Sequence, residues 1–220
     1  MKTKVLTFIL LLNILFSYGQ VIGNIGIKAG VSLANMTDKY KIQSIDITDK
    51  YDYKAGIYSA LTAEFFKGKF LSLAADIGFV QKGMQRKTEI TTAQLPEGTG
   101  EYTTWKYSRN CVTFSPMLKG FYTSNKLTAY ALAGPRIDVD FTYALPPESS
   151  MNSKTHRLIF GFSYGVGAEY KIKKIGFLLE CMGQPDITLL VSQQPEDSNF
   201  SLKARGNAYI VTTGLKLYLH

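Results

Sequence analysis

The stretch Gly161-Phe162-Ser163-Tyr164-Gly165-Val166-Gly167-Ala168-Glu169-Tyr170 carries a large or apolar residue at every second position, with glycine, serine or glutamate between. A period of two is that of a β-strand, whose successive side chains point to opposite faces. One face of this strand is therefore apolar, and the other is small with one charge. The fold turns on whether the apolar face meets a protein core or a lipid bilayer.

Seven other segments alternate in the same way, and helical stripes of useful length are absent. They run over Ile25 to Ala34, Tyr53 to Phe65, Phe70 to Gly83, Asn110 to Tyr122, Leu127 to Phe141, Ile175 to Leu189 and Ala208 to Leu219. Connections alternate in length. Lys67-Gly68-Lys69, Thr123 to Lys126 and Lys171 to Lys174 read as tight turns, whereas roughly 35–52, 84–109, 142–157 and 190–206 read as long loops. Short and long connections in strict alternation are the signature of an up-and-down transmembrane barrel. The expected fold is thus all-β, an eight-stranded antiparallel up-and-down transmembrane β-barrel. Pro116, which has no N–H to give a ladder, is expected to mark an edge strand or a bulge.

A soluble cup with its apolar face turned inward, a lipocalin-like periplasmic carrier, would show the same alternation. The second face separates the two. It is heavily Gly, Ala and Ser with isolated charges, which suits a crowded narrow lumen better than a water-facing sheet. In the lumen this orientation places Lys28, Lys54, Lys82, Lys119, Arg136 and Lys216 against Glu64, Asp76, Asp138, Asp140, Glu169, Glu180 and Asp186. An unpaired charge there is expensive, so near-balance points to a paired network filling the lumen.

Residues 1–19 read as a signal peptide: Lys2 and Lys4, an apolar run from Val5 to Phe16, then small residues at Ser17 and Gly19. The run is too short to span a bilayer as a helix, and residues 20–220 form the expected barrel domain. Without Lys2 and Lys4 the formal charge falls from +8 to +6. Lys67, Lys69, Lys126, Lys171, Lys173 and Lys174 at the short turns account for this excess, facing anionic lipid head groups. No basic patch with interleaved aromatics supports nucleic-acid binding.

Motifs of nucleophilic, phosphate-binding or zinc chemistry are absent. His156 near Ser153 reads as an ordinary rim histidine, and two cysteines, Cys111 and Cys181, make neither a disulfide framework nor a metal cluster. No cofactor or metal is expected, and the chain reads as non-enzymatic.

Four short motifs in order, Gly78 to Gly83 (GFVQKG), Ala131 to Arg136 (ALAGPR), the Gly-rich sixth strand and Asn207 to Leu219 (NAYIVTTGLKLYL), resemble the PorT-like outer-membrane barrels of Bacteroidetes. The resemblance covers the mature chain and implies an OmpX-like eight-stranded barrel in the cell outer membrane. Its implied partners are outer-membrane lipid, the barrel assembly machinery, and proteins of a secretion or surface complex. A narrow solute pore is the alternative. The chain departs from the pattern at its end, where Tyr218-Leu219-His220 replaces a terminal aromatic residue.

Overall fold

The computed structural model describes residues 22–42, 45–91, 99–142, 154–155, 157–193 and 200–219. The expected signal peptide, Ser153, His156 and His220 lie outside the described residues. Eight long strands follow one another: β1 (Ile22–Ile42), β3 (Lys54–Phe65), β4 (Leu71–Glu89), β5 (Tyr102–Ser124), β6 (Leu127–Asp140), β8 (Leu158–Ile172), β9 (Ile175–Pro185) and β11 (Phe200–Tyr218). Each pairs antiparallel with the next, and β1 pairs with β11 from Asn24↔Tyr218 to Ile42↔Phe200, closing the ring.

Three short strands add to the expected count: β2 (Ile45–Lys50), β7 (Lys154–Thr155) and β10 (Val191–Gln193). They prolong existing lanes. β2 continues the lane of β3 along β1, while β10 and β7 continue those of β9 and β8. Segments expected as long loops are therefore partly strand, with β1 running to Ile42, β4 to Glu89, and β5 and β11 starting at Tyr102 and Phe200. Alternation fades there because both faces of a strand beyond the bilayer can be polar.

Pro116 does not make an edge. It sits opposite Pro135, and the β5–β6 ladder skips from Phe114↔Ile137 to Leu118↔Ala133 without changing register. Two prolines facing each other place both missing donors in one gap of the sheet. The seventh strand stops at Pro185 rather than running to Leu189, leaving Asp186 in a single bridge to Gly161.

Burial settles which face is which. Ile27, Ile57, Leu61, Val166 and Leu179 are among the exposed large apolar side chains, each more than half exposed, while the side chains next to them in the chain are buried and the intervening glycines half-buried. An apolar belt girdling the whole wall has no soluble counterpart of that extent and needs lipid; a closed barrel satisfies every backbone group across it. Along β1 the belt runs from Ile25 to Leu33, within the roughly 9–11 tilted residues a crossing takes. Aromatic pairs mark its loop-end border, Tyr53 with Tyr209 at 6.1 Å between centroids and Phe79 with Phe141 at 6.0 Å. Three turns close the other end, with Phe66, Asn125 and Lys173 at positive φ.

Val166, near the middle of the belt on β8, is a direct test of this orientation. Val166→Arg is expected to lower stability in lipid by about 2–4 kcal/mol. An arginine at Thr104, outside the belt on the exposed part of β5, is expected to change it by less than about 0.5 kcal/mol. Urea titration of vesicle-folded protein, followed by heat-modifiable gel mobility, measures both; equal midpoints would put the belt elsewhere.

Candidate functional site

Because inward side chains come from alternate residues of staggered strands, they stack in layers drawn from every second strand. Ring order here is β1, β3, β4, β5, β6, β8, β9, β11. The layer nearest the short turns takes Glu64 from β3, Lys119 from β5, Glu169 from β8 and Lys216 from β11, signs alternating around the lumen. Glu64 accepts hydrogen bonds from both lysines and from Asn24, the last at 2.9 Å. Glu169 faces Lys216 at 3.3 Å and Lys119 at 3.7 Å, and accepts from the Tyr218 hydroxyl.

The next layer uses the other four strands. Lys28 of β1 reaches Asp76 of β4 at 2.8 Å and Glu180 of β9 at 2.9 Å, and Tyr130 of β6 donates to Glu180 at 2.9 Å. Lys119 Nζ stands 4.0 Å from the centre of the Tyr130 ring, which joins the two layers through a cation–π contact. Around Tyr130 packs an apolar layer that includes Tyr58, Val80, Met117, Leu132, Met182 and Ile210.

Towards the loop end lies a third cluster. Lys82 bridges Asp138 at 2.7 Å and Asp186 at 3.4 Å; Arg136 contacts Asp138 at 3.1 Å and Asp186 more closely; Arg109 holds Asp140 at 2.7 Å. Above it sits an apolar cap of Met36, Tyr51, Met84, Tyr107, Ile159, Leu190 and Ala204, against which Trp105 packs. Trp105 and Tyr107 stack with their ring planes 7° apart.

Glycines of the opening stretch make room for this filling. A Cβ on Gly161 would come within 2.3 Å of the Arg136 guanidinium, and one on Gly167 within 2.4 Å of the Tyr130 ring. Phe160, Phe162, Tyr164, Val166 and Tyr170 of the same strand are exposed on the belt.

Of the thirteen charged residues expected in the lumen, all but Lys54 lie in these clusters. Lys54 does not join them. It is buried near the loop end, where its ammonium meets the Ala55 carbonyl at 3.3 Å. Arg109 lies outside the expected network because the alternation that marks the fourth run begins at Asn110; continuing the inward odd positions of that strand by one step beyond Cys111 reaches it. Asp38, buried on the extension of β1, likewise lies beyond the end of the first run at Ala34. Among the described residues the buried charges number seven basic and eight acidic. Cys111 is buried in the apolar layer and Cys181 is exposed on the belt, both free thiols.

The comparisons agree with this architecture. Residues 23–183 match the family described as outer membrane protein beta-barrel domain. Similar solved structures include the outer membrane protein OprG from Pseudomonas aeruginosa, at 12% identity and a TM-score of 0.51, covering 90% of this chain and 98% of that one. The outer membrane protease OmpT from Escherichia coli aligns at 10% identity and 0.47, covering 90% and 97%. The attachment invasion locus protein Ail of Yersinia pestis aligns at 12% and 0.39, covering 89% and 99%. No match was found among curated proteins. With its ring closed, its apolar face outward and this match over most of its strands, the chain belongs to the outer membrane β-barrel domain family and resides in the outer membrane.

Proposed function

We propose that this barrel is a sealed, non-enzymatic scaffold of the PorT-like kind, exported by way of the signal at residues 1–19, and that it works through its projecting extracellular rim in a surface or secretion assembly. The reading is carried by the way the wall outgrows the bilayer. Strands β4 and β5, 19 and 23 residues long, rise as a paired ribbon from Met84↔Tyr107 to Glu89↔Tyr102. The other lobe is a leaf of β2, β1, β11, β10 and β7. Backbone contact between ribbon and leaf includes Asp52 with Gln85, and the Arg86–Asp49 ion pair at 2.8 Å lies beside it. A rim built of paired strands in this way offers protein partners a preformed surface.

The layered charges support the sealed lumen. An eight-stranded barrel is just wide enough for side chains to fill it, and the ion pairs here span the ring from β1 to β4 and β9 and from β5 to β3. The order of the four PorT-like motifs supports a secretion-associated role, and membership of the barrel class supports insertion by the barrel assembly machinery.

Two measurements test the reading. Purified barrel in planar bilayers is expected to leave the membrane at baseline conductance, whereas steady single-channel steps would favour the narrow-pore alternative. A strain lacking the gene is expected to lose secreted or surface proteins, with rim-dependent co-purifying partners; an unchanged secretome and no partners would defeat the assembly role.

A further inference from the structure

By sequence position the charges outside the lumen and the short turns appear dispersed. The closure of β1 on β11 gathers several of them onto one patch of the outer wall. Register places Arg205, Thr37 and Lys50 in one cross-strand row, Lys203, Lys39 and Thr48 in the next, and Lys41 opposite Asp46 in the row beyond. Lys39, Lys41, Lys50, Lys203 and Arg205 are exposed, and all five lie on the outward face of the wall that carries the lipid belt lower down. Asp46 is the one carboxylate in these rows, since Asp49 belongs to the opposite face and pairs with Arg86.

Lys39 and Lys203 are direct cross-strand partners. Such residues have their Cβ atoms about 5 Å apart, and like charges so placed destabilise a sheet. An anion seated between them removes that cost. Height along the wall selects the kind of anion. Arg205 stands four residues beyond Tyr209 of the aromatic border, roughly 13 Å along the strand and about 10 Å in height at the usual tilt. Polar head groups occupy about 5–8 Å outside the hydrocarbon on each side, so the backbone of the first basic row lies just beyond that zone and that of the second, two residues further on, about 5 Å higher; long basic side chains extend from both rows back towards the head groups. Beside β2 on the same wall, the β4–β5 ribbon carries Gln81, Gln85, Thr104 and Ser108 outward with only Lys87 and Lys106 as basic residues, so the concentration of positive charge is local to β2, β1 and β11.

We infer that this patch is a binding site for the phosphorylated head group of an outer-leaflet glycolipid, with Lys39 and Lys203 clamping a phosphate and Arg205, Lys50 and Lys41 around it. Lipid is the occupant because the patch continues the lipid-facing surface directly above the aromatic border, on the side of the wall rather than on the top of the rim. The inference does not depend on the secretion reading, because conductance and secreted proteins do not report on it.

The test uses the full mature chain in neutral detergent, with native mass spectrometry and thermal unfolding as readouts. Bisphosphorylated lipid A is expected to bind at least tenfold more tightly than the same lipid after dephosphorylation, and Lys39→Gln/Lys203→Gln is expected to remove most of that difference. Lys203→Glu carries the sharper signature. It is expected to raise the unfolding temperature without lipid, by pairing with Lys39, and to abolish the stabilisation that lipid A provides. Equal affinity for the two lipid forms, or undiminished binding by the double variant, would overturn the site. Inorganic pyrophosphate binding as tightly as lipid A would overturn the lipid assignment, as would heparin outcompeting lipid A at the same residues.

Discussion

Glu64→Ala is expected to lower the stability of the folded barrel by about 3–5 kcal/mol, the usual result of stripping one partner from a buried ion pair. This carboxylate is the acceptor shared by Lys119, Lys216 and Asn24, and all four side chains are buried. Its removal leaves two ammonium groups facing Glu169 alone, with water largely excluded from the ring. The cost is the desolvation of the stranded cations, so a second truncation should relieve part of it: Lys216→Met in the Glu64→Ala background is expected to cost less than Lys216→Met in the wild type. Urea midpoints of vesicle-folded protein for the four members of the cycle give the coupling directly. A Glu64→Ala midpoint within about 0.5 kcal/mol of wild type, the range of ordinary surface substitutions, would show that the ring contributes no net stability.

Arg136→Ala should be equally costly, about 3–5 kcal/mol, and should also unseal the lumen. Arg136 is fully buried and spans Asp138 and Asp186, in the space left by Gly161. Without it the cluster keeps Lys82 and Arg109 against Asp138, Asp140 and Asp186, an excess of one negative charge around a void the size of a guanidinium. Any current through that opening is therefore expected to favour cations. Lysine is a poor substitute because a point charge cannot hold two carboxylates in the planar fork of a guanidinium, so Arg136→Lys should fall between wild type and alanine. Planar-bilayer recordings and urea midpoints on the same preparations check both claims; an alanine variant that is destabilised yet silent would place the seal elsewhere, in the apolar cap that contains Tyr107 and packs against Trp105.

The two variants separate the layers. Loss of Glu64 disturbs the periplasmic ring while leaving the cluster around Arg136 and the cap intact, so its expected signature is instability without conductance. A shared conductance phenotype would mean that the layers act as one unit.

Much of this molecule could be read from local alternation. Period two in Phe160 to Tyr170 named Phe162, Tyr164 and Val166 as outward and Glu169 as inward, and the structure has them so. Side-chain direction along a strand depends only on the residue's own position, which is why one sequence reveals it. Strand ends were less legible. Beyond the bilayer the outward face turns polar, as at Asn35, Thr37 and Lys39, and the contrast that marks a strand disappears; Arg109 and Asp38 lie in these stretches, where alternation carries no signal.

What alternation cannot supply is register. Whether Lys119 meets Glu64, whether Pro116 faces Pro135, and whether Lys39 stands beside Lys203 depend on how strands far apart in the chain slide past one another when the ring closes. Sequence alone determined that this chain has two faces and which residues lie on each. Tertiary structure alone decided which charges share a layer, because a barrel's shear fixes those meetings through all eight strands at once.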